Sequence, residues 1–398
     1  MIRGVLLGTL MALAGCGGAF AQWDLSTTAS ANVTWADNVD YVNAAAGNPN
    51  GDALANVRLV GAGDYTGSRW RFNGAYEPTG SFYRDRKDLD HLSHLGRVRS
   101  AWDLSRRTTL NVNDQFTYSP DQGSRSESIN SPVVITSYTD RRSNLLNVNL
   151  AVALDALNTL TLGASEGFQT FSDPNLTDTS RRGAQVVWMR SLGAKSSFEL
   201  NGESWLNRFQ RRQAVSDNDP NTVDPLRSRR DRSQSYNATV GGTLGMGNYM
   251  SARGRAGMDL VVPDRAELST SRSFHADGSV QWQSRSLTAL LGYSQGLTTG
   301  SGLYAVSRTR AYYSSINAAL GSHLNGQIFL NKSYSKSASF GGDEPISTFS
   351  GGASLDAIFT RFLTGRVQVS SNTQSSRLNG NENIDFVRVS VGIVARID

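Results

Sequence analysis

The chain has 398 residues, with 39 Lys and Arg against 34 Asp and Glu, a formal net charge of +5 and a single cysteine. No internal stretch reaches the roughly 20 consecutive apolar residues of a transmembrane helix, and one cysteine excludes an internal disulfide. The basic residues are nearly all arginine and lie scattered along the chain, which argues against the clustered basic face of a nucleic-acid binder.

At the N-terminus, Arg3 precedes the short apolar run "VLLGTLMALAG", and "AFA" precedes Gln22. This is the pattern of a signal peptide over 1–21, with residues 22–398 as the mature domain. A second reading is open. "LAGC", Leu13 to Cys16, matches a lipoprotein box, which would place a lipid on Cys16. Both readings export the protein.

From Gln22 onward the chain is rich in glycine (39) and poor in proline (9), a composition that favours sheet and turn. Period-two alternation begins at once. Trp23, Leu25, Ala29, Ala31, Val33 and Trp35 fall on one face, and Asp24, Ser26, Ser30 and Asn32 on the other. The same pattern returns at Leu146 to Leu154, Leu287 to Tyr293, Phe349 to Phe359, Leu363 to Val369 and finally Val387 to Ile397.

The connections alternate as well. Short turns are expected at 66–69, 105–108, 155–158, 193–196, 245–248, 283–286, 321–325 and 360–361. Long polar connections are expected at 37–53, 77–91, 119–140, 209–232, 262–271, 337–345 and 372–383. The apolar face often carries an aromatic near a strand end: Trp23, Trp35, Trp70, Trp102, Trp188, Trp282, Tyr118, Tyr236, Phe349 and Phe359. Aromatics at both edges of an apolar band suit lipid interfaces. The pattern predicts an all-β fold, a transmembrane antiparallel β-barrel of about 18 strands in the outer membrane, with short periplasmic turns and long outer loops. Backbone groups left unpaired in lipid are costly, so the first strand must pair with the last.

The stretch "QWDLSTTASANVTWADNVDY", with Asp37, Asn38 and Val39 after an amphipathic strand, resembles the opening of a family of outer-membrane β-barrel porins. That family is associated with exopolysaccharide export and biosynthesis. The resemblance implies a channel for secreted polysaccharide or small polar solutes, with periplasmic export components as partners. The chain departs from the usual barrel ending, finishing "ARID" where such barrels finish on an aromatic.

Strand parity places Arg58, Arg71, Arg97, Arg99, Arg141, Arg253, Arg255, Arg366, Arg388 and Arg396 on the lumen side. Asp24, Asp103, Glu199, Glu203, Asp259, Asp277 and Asp356 take the same side. Basic side chains on a pore wall favour anions, whereas arginine–carboxylate pairs would instead stiffen the wall. A plugged barrel whose loops at 119–140 and 209–232 dock surface polymer or a protein partner is a further reading. An outer-membrane hydrolase would need a histidine beside a carboxylate or nucleophile. His91 and His94 lie near Asp88 and Asp90, but three residues apart on a strand they face opposite sides. His275 and His323 stand alone in the sequence, and no phosphate loop, paired-cysteine or haem motif implies a cofactor or metal.

Overall fold

The structure is a computed structural model of the chain, and it describes residues 22–39, 50–120, 139–172, 176–211, 230–264, 270–299, 306–337, 345–376 and 382–397. The leader, Cys16, Asp398 and most of the loops at 119–140 and 209–232 lie outside the described residues.

Eighteen strands follow one another. They are β1 (Gln22–Ala36), β2 (Asp52–Thr66), β3 (Trp70–Tyr83), β4 (His91–Ser105), β5 (Thr108–Ser119) and β6 (Arg141–Ala153). Next come β7 (Asn158–Phe171), β8 (Thr177–Gly193), β9 (Ser196–Arg211), β10 (Arg230–Met246), β11 (Met250–Pro263) and β12 (Ser271–Gln283). The last six are β13 (Leu287–Thr299), β14 (Val306–Ala319), β15 (Leu324–Ser337), β16 (Ile346–Thr360), β17 (Leu363–Ser376) and β18 (Glu382–Ile397). Each pairs antiparallel with the next, and β1 pairs with β18, so the sheet is a closed 18-stranded barrel.

Chain ends and short turns share one end of the barrel, and the longer connections share the other. All eight expected short turns are present, at 67–69, 106–107, 154–157, 194–195, 247–249, 284–286, 320–323 and 361–362. Their chemistry is local. Asp155 accepts the backbone N–H groups of Leu157 and Asn158, at 2.8 Å each, and the Asn158 side-chain amide at 2.7 Å. These bonds, the Asn158 side chain first, hold its carboxyl below the ordinary range. Gly247 and Gly321 adopt φ of +70° and +123°, where a side chain would strain the turn.

Two connections are shorter than expected: β17 runs to Ser376 and β18 starts at Glu382, which narrows the connection expected at 372–383 to 377–381. The segment 77–91 was expected to be loop, but β3 continues to Tyr83 and the connection is 84–90. Pro78 lies inside this strand although proline cannot donate to a ladder. The strand tolerates it by interrupting its pairing: the β2–β3 ladder lapses between Arg58↔Thr79 and Gly61↔Tyr76 and resumes in the same register. On the other side Pro78 still lies opposite His94.

The seam carries its own fastening. β1 and β18 pair from Thr27↔Ile397 to Ala36↔Arg388. Just beyond, the Asp37 carboxylate accepts the Val387 N–H at 2.7 Å, and the Asn38 amide donates to the Asp385 carbonyl at 3.0 Å. Val39 is buried with Ala36, Leu54, Tyr83 and Leu89. The Asp-Asn-Val stretch is thus a polar clasp on the seam with an apolar anchor behind it.

Alternation sorts the faces. Leu25, Val33 and Trp35 of β1 are exposed, as are Val389 neighbours Val391 and Ile393 of β18, while Thr34 and Ala36 are buried. At the short-turn end, Trp23, Tyr65, Trp70 and Trp102 form a chain of ring contacts 4.8 to 6.3 Å apart on the exposed face. At the other end His94 lies between the rings of Tyr76 and Tyr118.

Candidate functional site

The polar face of the barrel encloses a cavity of about 570 Å³. Nine contiguous strands line it, from β15 through the seam to β5. Serine, threonine, asparagine and glutamine supply much of the lining, with Arg58, Arg97, Arg366 and Arg388 among them. Every lining side chain of β1 that carries a polar group is an even-numbered residue: Ser30, Asn32 and Thr34. That is the face opposite Val33 and Trp35.

Register carries this face around the barrel. Ser30 pairs with Arg58, and Arg58 with Thr79. Thr66 pairs with Arg71, Asn73 with Arg99 and Ala75 with Arg97. On the far wall Gly241 pairs with both Glu199 and Arg255, and Arg255 with Asp277. Arg366 pairs with Asp356 and Gly392, and Arg388 with Ser370. Arg253 pairs with Thr243, Arg141 with Ser119, and Arg396 with Thr28 of the even-numbered face. All ten arginines singled out by parity therefore lie on one continuous face of the sheet.

The pairing states differ. Arg58 donates to Glu77 at 2.7 Å, and Arg71 sits 3.3 Å from Asp103. Arg366 grips Asp356 with two hydrogen bonds of 2.7 Å, the fork geometry that suits a carboxylate. Arg388 lies over the ring of buried Phe386, 4.9 Å from its centroid. Asp24 faces Asp64 across the β1–β2 ladder, and Glu203 accepts hydrogen bonds from Gln185, Asn201 and Trp205. Arg97 and Arg99, two residues apart on β4, have no ion-pair partner among the described residues.

A denser set lies on β9, β11 and β12. Arg255 donates to Asp277 at 2.8 Å and lies 3.7 Å from Glu199, which also meets Arg253 at 3.5 Å. His275 stands between Asp259, 3.3 Å from Nδ1, and Asp277, 3.6 Å from Nε2. Asp259 also accepts the Asn237 amide and the Leu297 N–H. Gly241 of β10 makes this possible. A Cβ there would collide with the Gly254 carbonyl and the stem of Arg255, so the bare backbone lets Arg255 cross β10 towards Glu199.

Sequence reading assigned His275 no role. The signal was there in "HAD": His275 and Asp277 are two apart and share a face. Asp259 comes from the neighbouring strand, which spacing along the chain does not reveal. His91 and His94 do fall on opposite faces, since His91 pairs with Ser81 beside the cavity and His94 stacks with Tyr76 outside. Among the described residues no cluster of three or more His, Cys, Asp or Glu has the geometry to hold a metal.

No family model matches the chain, and no curated protein is significantly similar to it in sequence. Among solved structures, the chain is similar to OccAB3 of Acinetobacter baumannii, at 10% identity and TM-score 0.48 over 94% of this chain and 100% of that one. It is similar to OpdL of Pseudomonas aeruginosa, at 11% identity and TM-score 0.45 over 96% and 100%. It is also similar to the FrpB iron transporter of Neisseria meningitidis, at 10% identity and TM-score 0.48 over 97% and 82%.

Proposed function

We propose that the protein is an outer-membrane channel for polar, anionic solutes, with an acidic polysaccharide strand as the largest solute class it admits. The observation that carries this reading is the cavity of about 570 Å³, polar on its walls and bearing Arg97 without a carboxylate partner among the described residues. An apolar exterior around a polar interior is the reverse of a soluble protein and the arrangement a bilayer requires. Short turns and chain ends then lie on the periplasmic side, where export components would deliver a polymer, and the longer loops lie outside.

Selectivity follows from the arginines. A paired arginine presents little net charge to a passing solute, whereas Arg97 and Arg99 present theirs in full. The ion-paired arginines give the wall its shape, and Arg97 and Arg99 attract anions. The cavity wall offers hydroxyl and amide groups on successive strands, which suit the hydroxyls of a sugar chain as readily as water.

Planar-bilayer recording tests the proposal. Purified protein should give ion current with anions favoured, and Arg97→Glu with Arg99→Glu should shift the reversal potential towards cations. An acidic oligosaccharide should block the current at lower concentration than a neutral one of the same length. Absence of current at every voltage would sink the channel, and equal block by both sugars would sink the anionic-polymer reading alone.

A further inference from the structure

The outward face is not apolar over its whole height. Strands of 12 to 17 residues rising about 3.3 Å per residue at about 40° tilt stand roughly 30 to 43 Å tall, against an apolar band of about 25 Å. The upper rows therefore stand at the level of lipid headgroups on the long-loop side.

Within β8 to β15 those rows carry two opposed basic pairs, on β9–β10 and on β14–β15. Arg208 of β9 lies directly opposite Arg232 of β10. Arg308 of β14 lies directly opposite Lys336 of β15, with Arg310 two residues further down. All five are exposed, and their inward neighbours Asn207, Ser233, Ser307, Thr309 and Ser335 are buried, which fixes the direction of the charged side chains. Like charges facing each other across a ladder repel. No carboxylate among the described residues pairs with Arg208, Arg232, Arg308 or Arg310. One neighbour differs: Arg182 of β8 is held by Glu166 at 2.7 Å.

Between β7 and β10 the rim also forms a recess of about 380 Å³. Phe168, Ser180, Arg208 and Arg232 line it from the outward face. Asp178 and Asp231 line it too, and the Asp178 carboxylate already accepts the Phe171 N–H at 2.9 Å. An aromatic ring with two guanidinium groups suits a molecule that is apolar at one end and carries phosphate at the other. The adjoining strands β16 to β18 lack this character. At the same height β16 to β18 present Ser347, Thr373, Ser375, Asn383 and Asp385.

We infer that the arc from β8 to β15 binds the phosphate groups of an anionic glycolipid in the outer leaflet, with one site at Arg208 and Arg232 and another at Arg308, Arg310 and Lys336. The occupant is a membrane lipid, because both sites face outward at the edge of the apolar band. Bound phosphate relieves the repulsion between Arg208 and Arg232. The inference rests on the membrane reading above.

The test uses the full mature protein in detergent micelles, titrated with bisphosphorylated lipid A, its dephosphorylated form and phosphatidylcholine, and read by native mass spectrometry. The bisphosphorylated lipid should bind about tenfold or more tightly than the other two, and raised salt should weaken it. Arg208→Gln with Arg232→Gln, and Arg308→Gln with Arg310→Gln, should each remove part of that preference, and the four together should abolish it. Heat-dependent gel migration reports whether each variant is folded, and either double variant alone suffices if the quadruple one is not. Equal binding of all three lipids, or an unchanged preference in folded variants, would overturn the inference. Failure of the wild-type chain to enter any bilayer would instead overturn the membrane reading.

Discussion

On the wall from β9 to β12, Glu199, Arg253, Arg255, Asp277 and His275 form one linked set of charges. On the wall from β2 to β5, Arg58 and Arg71 hold one carboxylate each, and Arg97 and Arg99 hold none among the described residues. The two walls contain the same residue type on the same face. They differ in what the neighbouring strand places opposite. Arg255 meets Asp277 in register and reaches Glu199 across a glycine, whereas Arg97 meets Ala75 and Gln115, and Arg99 meets Asn73 and Asn113. A charge is structural where the adjacent strand answers it and available to solute where it does not.

The largest test of this contrast is Gly241→Val. A side chain there must displace Gly254 and Arg255, so the linked wall should lose up to about 3 kcal/mol, read by urea unfolding in lipid vesicles. No change in midpoint would show that Arg255 does not need the bare backbone. A smaller effect is expected from Asp277→Asn, which leaves Arg255 with the more distant Glu199 and His275 with Asp259 alone. The loss should be about 1 to 2 kcal/mol in the same measurement. The smallest belongs to the other wall. Arg97→Gln should alter stability by less than about 0.5 kcal/mol, while still reducing anion preference in bilayer recording. A large loss of stability there would erase the distinction between the walls.

Much of the barrel was legible in the sequence because period two is a property of the backbone. The eight short turns, the pairing of the terminal strands and the face of each arginine all follow from alternation and turn chemistry. What alternation did not reveal is who answers whom. His275 drew no attention because Asp259 lies 16 residues away on another strand. The outward basic rows were missed for a different reason. In "SRTRAYYSS" the arginines alternate with serine and threonine, so both faces read as polar and the apolar pattern assigns neither. Only the buried state of Ser307 and Thr309 separates them. Near a rim, where lipid gives way to headgroups, hydrophobicity stops marking the outside.

The clasp formed by Asp37 and Asn38 has a consequence for assembly. The bond from Val387 to Asp37 joins residues 350 positions apart. Bringing the ends of so long a free chain together would cost about 5 kcal/mol in loop entropy. Adding hairpins one at a time divides that search into short steps and leaves a single long one for the end. Until that step, β1 and β18 each offer an open edge, to which a strand of another molecule can add. The clasp gives β1 a polar grip on β18 at the long-loop end, beside the ladder and outside the apolar band. It adds two side-chain hydrogen bonds to the closing pair, over and above those of the β1–β18 ladder itself.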